Sequence, residues 1–218
     1  MTIRVLIADD QDIIRSGLTT ILNGQPDIEV VGQAVDGREA VDLAHRLRPD
    51  VCLFDIRMPH LDGVEATRLL AGPDVEDPFA VVVITTFDTD AYVSGALRAG
   101  AKGFLLKDAG PELLVQAIHA AAEGDALIAP AITTRLLAKF AETATSSTPM
   151  QPLSPLTERE EQVLVTVATG RTNAEIAKEL HISLSTVKFH LSSLMTKIEA
   201  RNRVEIAIWA YETKRVKP

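Results

Sequence analysis

Apolar positions along the chain follow two different patterns, and the change between them falls near residue 125. In the first part, almost unbroken apolar runs recur at Ile3 to Ala8, Ile28 to Ala34, Val51 to Phe54, Ala80 to Ile84 and Gly103 to Leu106. Short runs of this kind, without strict alternation, predict strands that are buried on both faces. Between them the spacing becomes helical, as in Ile13, Ile14, Gly17, Leu18, Ile21 and Leu22, and again in Ala40, Val41, Leu43, Ala44 and Leu47. Strand and helix alternate five times. The expectation is an α/β domain over 1–125, with a doubly wound, five-stranded parallel sheet covered by helices on both sides.

Beyond it the strands stop. Residues Pro130 to Glu142 carry a helical pattern (Ile132, Leu136, Leu137, Phe140), and Thr143 to Pro152 is a run of Ser, Thr and Pro that predicts a flexible tether. Together 126–152 form a helical and flexible linker. From residue 153 to 218 the pattern is helical throughout. Thr157 and Glu160 form a capping box, and Gly170 stops that helix. Asn173 is expected to cap a short helix to Leu180, and Ser183 or Ser185 the next, to about Glu199; the last helix spans Val204 to Glu212. This predicts a second, all-α four-helix domain. Two of its helices, joined by a turn of about four residues, fit a helix-turn-helix, with Ala177 small enough for close approach and Ile182 and Val187 packing the corner.

Composition sharpens this division. A chain of 218 residues, 46% hydrophobic and 24% charged, suits two soluble globular domains. The single cysteine, Cys52, lies inside an apolar run and excludes disulfides and cysteine metal sites. No signal-peptide pattern and no 18-residue apolar stretch is present, so the expected location is the cytoplasm, away from membranes. The net charge of -8 is uneven: residues 1–152 carry 12 Lys+Arg against 22 Asp+Glu, and residues 153–218 carry 10 against 8. An acidic domain repels nucleic acid, so any DNA contact belongs to the C-terminal part.

Strand ends supply the candidate chemistry. Asp9 and Asp10 follow the first strand and Asp55 ends the third, so three carboxylates converge in one crevice of a doubly wound sheet. Like charges that close call for compensation, and a hard divalent cation, Mg²⁺, is the natural choice. Thr85 after the fourth strand and Lys107 after the fifth add a hydroxyl and an ammonium. Carboxylate nucleophile, metal, hydroxyl and cation together suit phosphoryl transfer. Any one of these aspartates taken alone is a turn or helix cap; the constellation of five is what argues for a site.

The runs Val5-Leu6-Ile7-Ala8-Asp9-Asp10, Asp55-Ile56-Arg57-Met58-Pro59-His60-Leu61-Asp62-Gly63, Ile84-Thr85-Thr86 and Gly103-Phe104-Leu105-Leu106-Lys107 closely resemble the receiver domain of response regulators, over residues 1 to about 125. That resemblance implies a flavodoxin-like sheet and a phosphoryl group accepted by Asp55 from a sensor histidine kinase. It further implies Mg²⁺ held by Asp9, Asp10, Asp55 and the backbone carbonyl of Arg57, contact of Lys107 with the phosphoryl group, and a switch through Thr85 and Phe104. Phe104 lacks the hydroxyl of the tyrosine often found there, and Arg57 and Phe87 stand where the family tunes phosphoryl lifetime.

The segments Leu156 to Leu164, Gly170 to Ala177 and Ser185 to His190 resemble the DNA-binding domain of the LuxR and NarL/FixJ regulators, over 153–213. The second helix of the motif would enter the major groove. Lys188, Phe189 and Ser192 on its exposed face are candidates for base contacts, Ser185 and Thr186 at its start for phosphates, and Arg171, Thr172 and Lys197 for further backbone contacts. His190 and Met195 read as core or second-row residues. The resemblance implies a homodimer when active, paired through the last helix (Val204, Ile208, Trp209) on two-fold related half-sites, with RNA polymerase as a further partner; Trp209 filling its own core is the competing reading.

The combination implies a transcription regulator that promotes only its own phosphorylation and dephosphorylation. Two other readings weigh less. A Mg²⁺-dependent phosphohydrolase would carry a second aspartate where Arg57 stands, and a small-ligand-gated regulator would carry an aromatic-lined cavity, against 4% aromatics here.

Overall fold

Strands form where the apolar runs predicted them. In a computed structural model that describes residues 2–86, 90–125, 127–128, 152–200 and 203–216, with the side chains of 90, 91, 94, 127, 128 and 204 left out of the description, the chain forms two compact units divided at Ala129/Pro130. The first contains β1 (Ile3–Ala8), β2 (Ile28–Ala34), β3 (Val51–Asp55), β4 (Ala80–Thr85), β5 (Gly103–Leu106) and β6 (Leu127–Ile128). All pair in parallel, in the order β2-β1-β3-β4-β5-β6. β6 was not anticipated: two residues carry no period, and only the free edge of β5 defines them as a strand.

Helices α1 (Asp12–Asn23), α2 (Gly37–Leu47), α3 (Gly63–Ala71), α4 (Asp90–Arg98) and α5 (Pro111–Ala122) make the connections. All five residues of β3 are buried, which requires cover on both faces of the sheet. α2, α3 and α4 pack side by side, and α5 lies against the strands from β3 to β6. The strand order reverses between β1 and its neighbours β2 and β3, so the crevice of this sheet opens between the ends of β1 and β3.

Local chemistry fixes the helix starts. Asp36 and Asp62 cap α2 and α3, each accepting from the backbone N–H three residues on at 2.8 Å. Pro111 opens α5, where the missing N–H costs nothing.

The second unit holds α6 (Glu158–Ala168), α7 (Asn173–Glu179), α8 (Leu184–Ile198) and α9 (Arg203–Glu212). The Thr157–Glu160 capping box forms in both directions, and Gly170 leaves the helix at φ +80°. Asn173 does not cap α7. Thr172 does, in a second capping box with Glu175, while Asn173 is the first helical residue, buried and accepting from Arg203 Nη1 at 2.6 Å. Ser183 rather than Ser185 caps α8. The core joins Val163, Leu164 and Val167 of α6 to Ile176, Val187, Leu191, Leu194 and Ile206. The helix expected over 130–142 and nearly all of the tether lie outside the described residues. Among the described residues no helix is long and apolar enough to cross a membrane.

Candidate functional site

At the crevice the structure brings Asp9, Asp10 and Asp55 together, with one carboxylate oxygen of each inside 4.8 Å of the others. Asp9 and Asp55 are buried and Asp10 is exposed, so the cluster has a closed floor and an open rim. Lys107, just past the end of β5, reaches Asp9 Oδ2 at 2.5 Å and Asp55 Oδ2 at 3.1 Å. Its backbone N–H donates to the Thr85 carbonyl at 2.9 Å, which ties the end of β5 to the end of β4. Thr85 is wholly buried, as is Phe104, which stands opposite Val83 in the β4–β5 register.

Charge in this crevice is not balanced. Burial, opposed by Lys107 and reinforced by the Asp9 charge, raises the Asp55 carboxyl above its ordinary value. Burial alone would lower Lys107, but its pairing with Asp9 and Asp55 outweighs that and holds the ammonium firmly charged. Asp9 Oδ1 and Asp55 Oδ1 accept from the N–H groups of Gln11 at 2.9 Å and Ile56 at 2.8 Å. Asp9 Oδ2 is buried, and its contact with Lys107 is an ion pair rather than a well-aligned hydrogen bond. Three hard oxygen donors, one of them buried and poorly satisfied, with a single ammonium among them, fit a hard divalent cation.

Backbone packing holds Asp55 in place. A Cβ on Gly63 would fall 1.9 Å from the Asp55 carbonyl oxygen, so only glycine lets α3 begin this close to the end of β3. The Gly63 N–H donates to Ile56 O at 2.8 Å and closes the loop between them. Gly37 approaches the same loop from α2, its N–H donating to Leu61 O at 3.1 Å.

One residue and one contact around this crevice escaped the sequence reading. Arg15 is buried, donating to the Asp9 carbonyl at 2.6 Å and ion-paired with Asp12. It shares the inward stripe of α1 with Leu18 and Leu22, and a charged residue on such a stripe was the available signal. Arg57 turns its guanidinium over the Tyr92 ring, 5.5 Å from the centroid, and donates to the Tyr92 hydroxyl at 3.3 Å. That tie from the β3–α3 loop to α4 had no sequence signal.

In the second unit, α7 and α8 are joined by residues 180–183, with His181 at φ +52°. Lys188, Phe189, Ser185 and Ser192 are exposed on α8; Thr186 is half-buried. Ser183 Oγ lies 2.7 Å from both Ser185 Oγ and Thr186 Oγ1, a hydroxyl triangle at the helix start. Arg171 is exposed, 3.8 Å from Glu175 and 3.5 Å from Glu179.

Lys197 is not a free surface cation. It pairs with Glu160 at 2.8 Å and donates to Pro155 O at 3.2 Å. Glu160, 4% exposed, also accepts from Ser193 Oγ at 2.7 Å and the Thr157 N–H at 2.7 Å. Burial resists ionisation there, but Lys197, Thr157 and Ser193 prevail and push the carboxyl down to about 2. On the last helix the burial fits the competing reading of Trp209. Trp209 is 3% exposed, within its own core, with Arg215 stacked 4.6 Å from its ring centroid. Ile206, Ala207 and Ala210 are buried beside it, because α9 closes the four-helix core against α6; Ile208 is half-exposed, and the Val204 side chain lies outside the described residues.

Residues 5–119 match the family model for the response regulator receiver domain, and residues 154–210 that for bacterial regulatory proteins of the luxR family. The chain is 37% identical to the transcriptional regulatory protein LiaR of Bacillus subtilis, over 96% of this chain and 97% of that one. It is 35% identical to the crystal structure of the response regulator ChrA of a heme-sensing two-component system, with a TM-score of 0.54 and 99% of both chains covered. RcsB from Salmonella enterica serovar Typhimurium, solved bound to a promoter in the presence of phosphomimetic BeF3-, is 25% identical with a TM-score of 0.58, over 97% of this chain and 99% of that one.

Proposed function

Because the chain belongs to the two-component response regulators that join a receiver to a luxR-family DNA-binding domain and regulate transcription, we propose that Asp55 is its phosphoacceptor and α8 its DNA-reading helix. The receiver is assigned to 1–125, the linker to 126–152 and the DNA-binding domain to 153–218. The observation that carries the reading is the crevice itself: a buried carboxylate at the end of β3, raised above its ordinary value, between a second buried aspartate and a lysine.

Asp9, Asp10 and Asp55, with the Arg57 carbonyl, would hold Mg²⁺, which when bound neutralises the transferring oxygens. Asp55 Oδ2 is the attacking atom, on the side away from the Ile56 N–H. Lys107 already pairs with that oxygen and is placed to hold the product phosphoryl group. The Thr85 hydroxyl turns toward that group, and Phe104, buried opposite Val83, repacks; these two are the switch residues. The donor is a sensor histidine kinase, and the location is the cytoplasm.

On the output side, Lys188, Phe189 and Ser192 reach base edges, and Ser185, Thr186, Arg171 and Thr172 contact phosphates. Lys197 acts through the Glu160 bond rather than on DNA. The active form is a homodimer on two-fold related half-sites that works with RNA polymerase, and Ile208, half-exposed on α9, has apolar surface to offer a second copy. Asp55→Asn should abolish labelling by acetyl phosphate and Mg²⁺, read on a phosphate-affinity gel; undiminished labelling refutes the assignment.

A further inference from the structure

α8 is an amphipathic helix whose outer face is unusual in what it carries. Val187, Leu191, Leu194 and Ile198 make its buried stripe. At about 100° per residue, the position opposite that stripe belongs to Phe189. This side chain is 69% exposed, the most exposed aromatic among the described residues. Its neighbours on the same face, Ser185, Ser192 and Thr196, are exposed and neutral, and Lys188 at the edge is the one basic residue of that face. Phe189 also packs edge-on against His190, with ring centroids 5.6 Å apart and an interplanar angle of 67°.

An apolar ring at the centre of a face that enters the major groove has one apolar group to meet there, the 5-methyl of thymine; the remaining base edges are hydrogen-bond donors and acceptors. We infer that Phe189 is a base-reading residue that packs on a thymine methyl group in each half-site, so that specificity at that position is apolar rather than hydrogen-bonded. The inference rests on α8 being the groove-entering helix. Lys188, by contrast, supplies charge or a hydrogen bond, and its loss should weaken binding without touching methyl discrimination.

The test uses the full chain, treated with acetyl phosphate and Mg²⁺, and a randomised duplex library. Duplexes enriched by the wild type are remade with deoxyuridine in place of each thymidine in turn. Removing the contacted methyl should weaken wild-type binding about fourfold, the worth of one buried methyl-sized group. Phe189→Ala, whose side chain lies outside the core, should bind the thymidine and deoxyuridine duplexes alike, while Lys188→Ala binds both more weakly and keeps their ratio. Wild-type indifference to every methyl overturns the inference and leaves α8 as the DNA-reading helix. The same thymidine preference in Phe189→Ala overturns it too, since the preference then comes from DNA shape. Failure of the wild type to enrich any sequence overturns the DNA-reading assignment beneath it.

Discussion

Each unit of this protein buries a carboxylate beside a lysine, and the two arrangements differ in what surrounds the pair. Around Asp55 stand two more aspartates and one ammonium, and the carboxyl is held above its ordinary value. Around Glu160 stand Lys197, Ser193 and Thr157, every one a donor, and the carboxyl is pushed down to about 2. The same chemical pair is therefore poised in one unit and satisfied in the other. A buried acid with all its acceptors filled is a clamp: here it ties the start of α6 to the middle and end of α8. A buried acid among its own kind is a vacancy in charge balance, open to a cation and a phosphoryl group.

The contrast breaks most severely at Glu160. Glu160→Ala leaves Lys197 half-buried without its partner and should destabilise the second unit by about 3 to 5 kcal/mol. Trp209, the chain's single tryptophan and buried in that unit, reports its unfolding by fluorescence while the receiver contributes none. A loss below about 1 kcal/mol would mean that the clamp is ornamental.

Acid separates the two acids by sign. Glu160 is depressed, so its stabilisation is complete above its ordinary value near 4.5 and is lost as pH falls toward about 2, amounting to about 3 kcal/mol. Asp55 is raised, so its ionised form costs the receiver stability at neutral pH, and acidification through its folded value relieves that cost. In urea titrations from pH 7 to pH 2, the wild-type advantage over Glu160→Gln should shrink by about 3 kcal/mol. Over the upper part of that range, the difference between Asp55→Asn and wild type in the receiver should narrow as well. A pH-independent difference in either unit would contradict the charge assignments.

Mg²⁺ should act on one unit alone. At about one hundred times its dissociation constant a ligand adds about 2.7 kcal/mol, expected as slower hydrogen exchange in the β3 amides and no change in the Trp209 transition. Asp9→Ala should remove the effect. Smallest is the stability change in Asp55→Asn at neutral pH: deleting one charge from the crevice should stabilise the receiver by about 1 kcal/mol while removing the proposed phosphoacceptor, the trade expected of a strained functional site. Destabilisation would place the strain elsewhere.

Much of this was legible in the sequence, and the boundary of legibility is physical. β1, β2 and β5 begin and end where their apolar runs do, because a strand buried on both faces announces itself in composition. The convergence of Asp9, Asp10 and Asp55 followed from strand ends alone, since doubly wound topology dictates which ends are neighbours. The cap of α7 was misread although its signal was present: Thr172 and Glu175 have capping-box spacing, and the adjacent Asn173 is merely another residue type that caps. The roles of Lys197 and Trp209 could not be read. A lysine near the end of an exposed-looking helix and an apolar stripe on the last helix have the same pattern whether they face solvent, a partner or their own core, and only packing between α6, α8 and α9 decides.

Gly63 has a consequence for how the crevice can move. Its backbone is wedged against the Asp55 carbonyl, and its N–H bonds Ile56, so β3 and α3 act there as one rigid block. The crevice resembles a vice with one jaw bolted to the bench. An occupant too large for the gap meets that block on one side; on the other stand Thr85 and Lys107, joined by a backbone hydrogen bond at the ends of β4 and β5. Motion started by the proposed chemistry at Asp55 would in this way be given a direction before it begins.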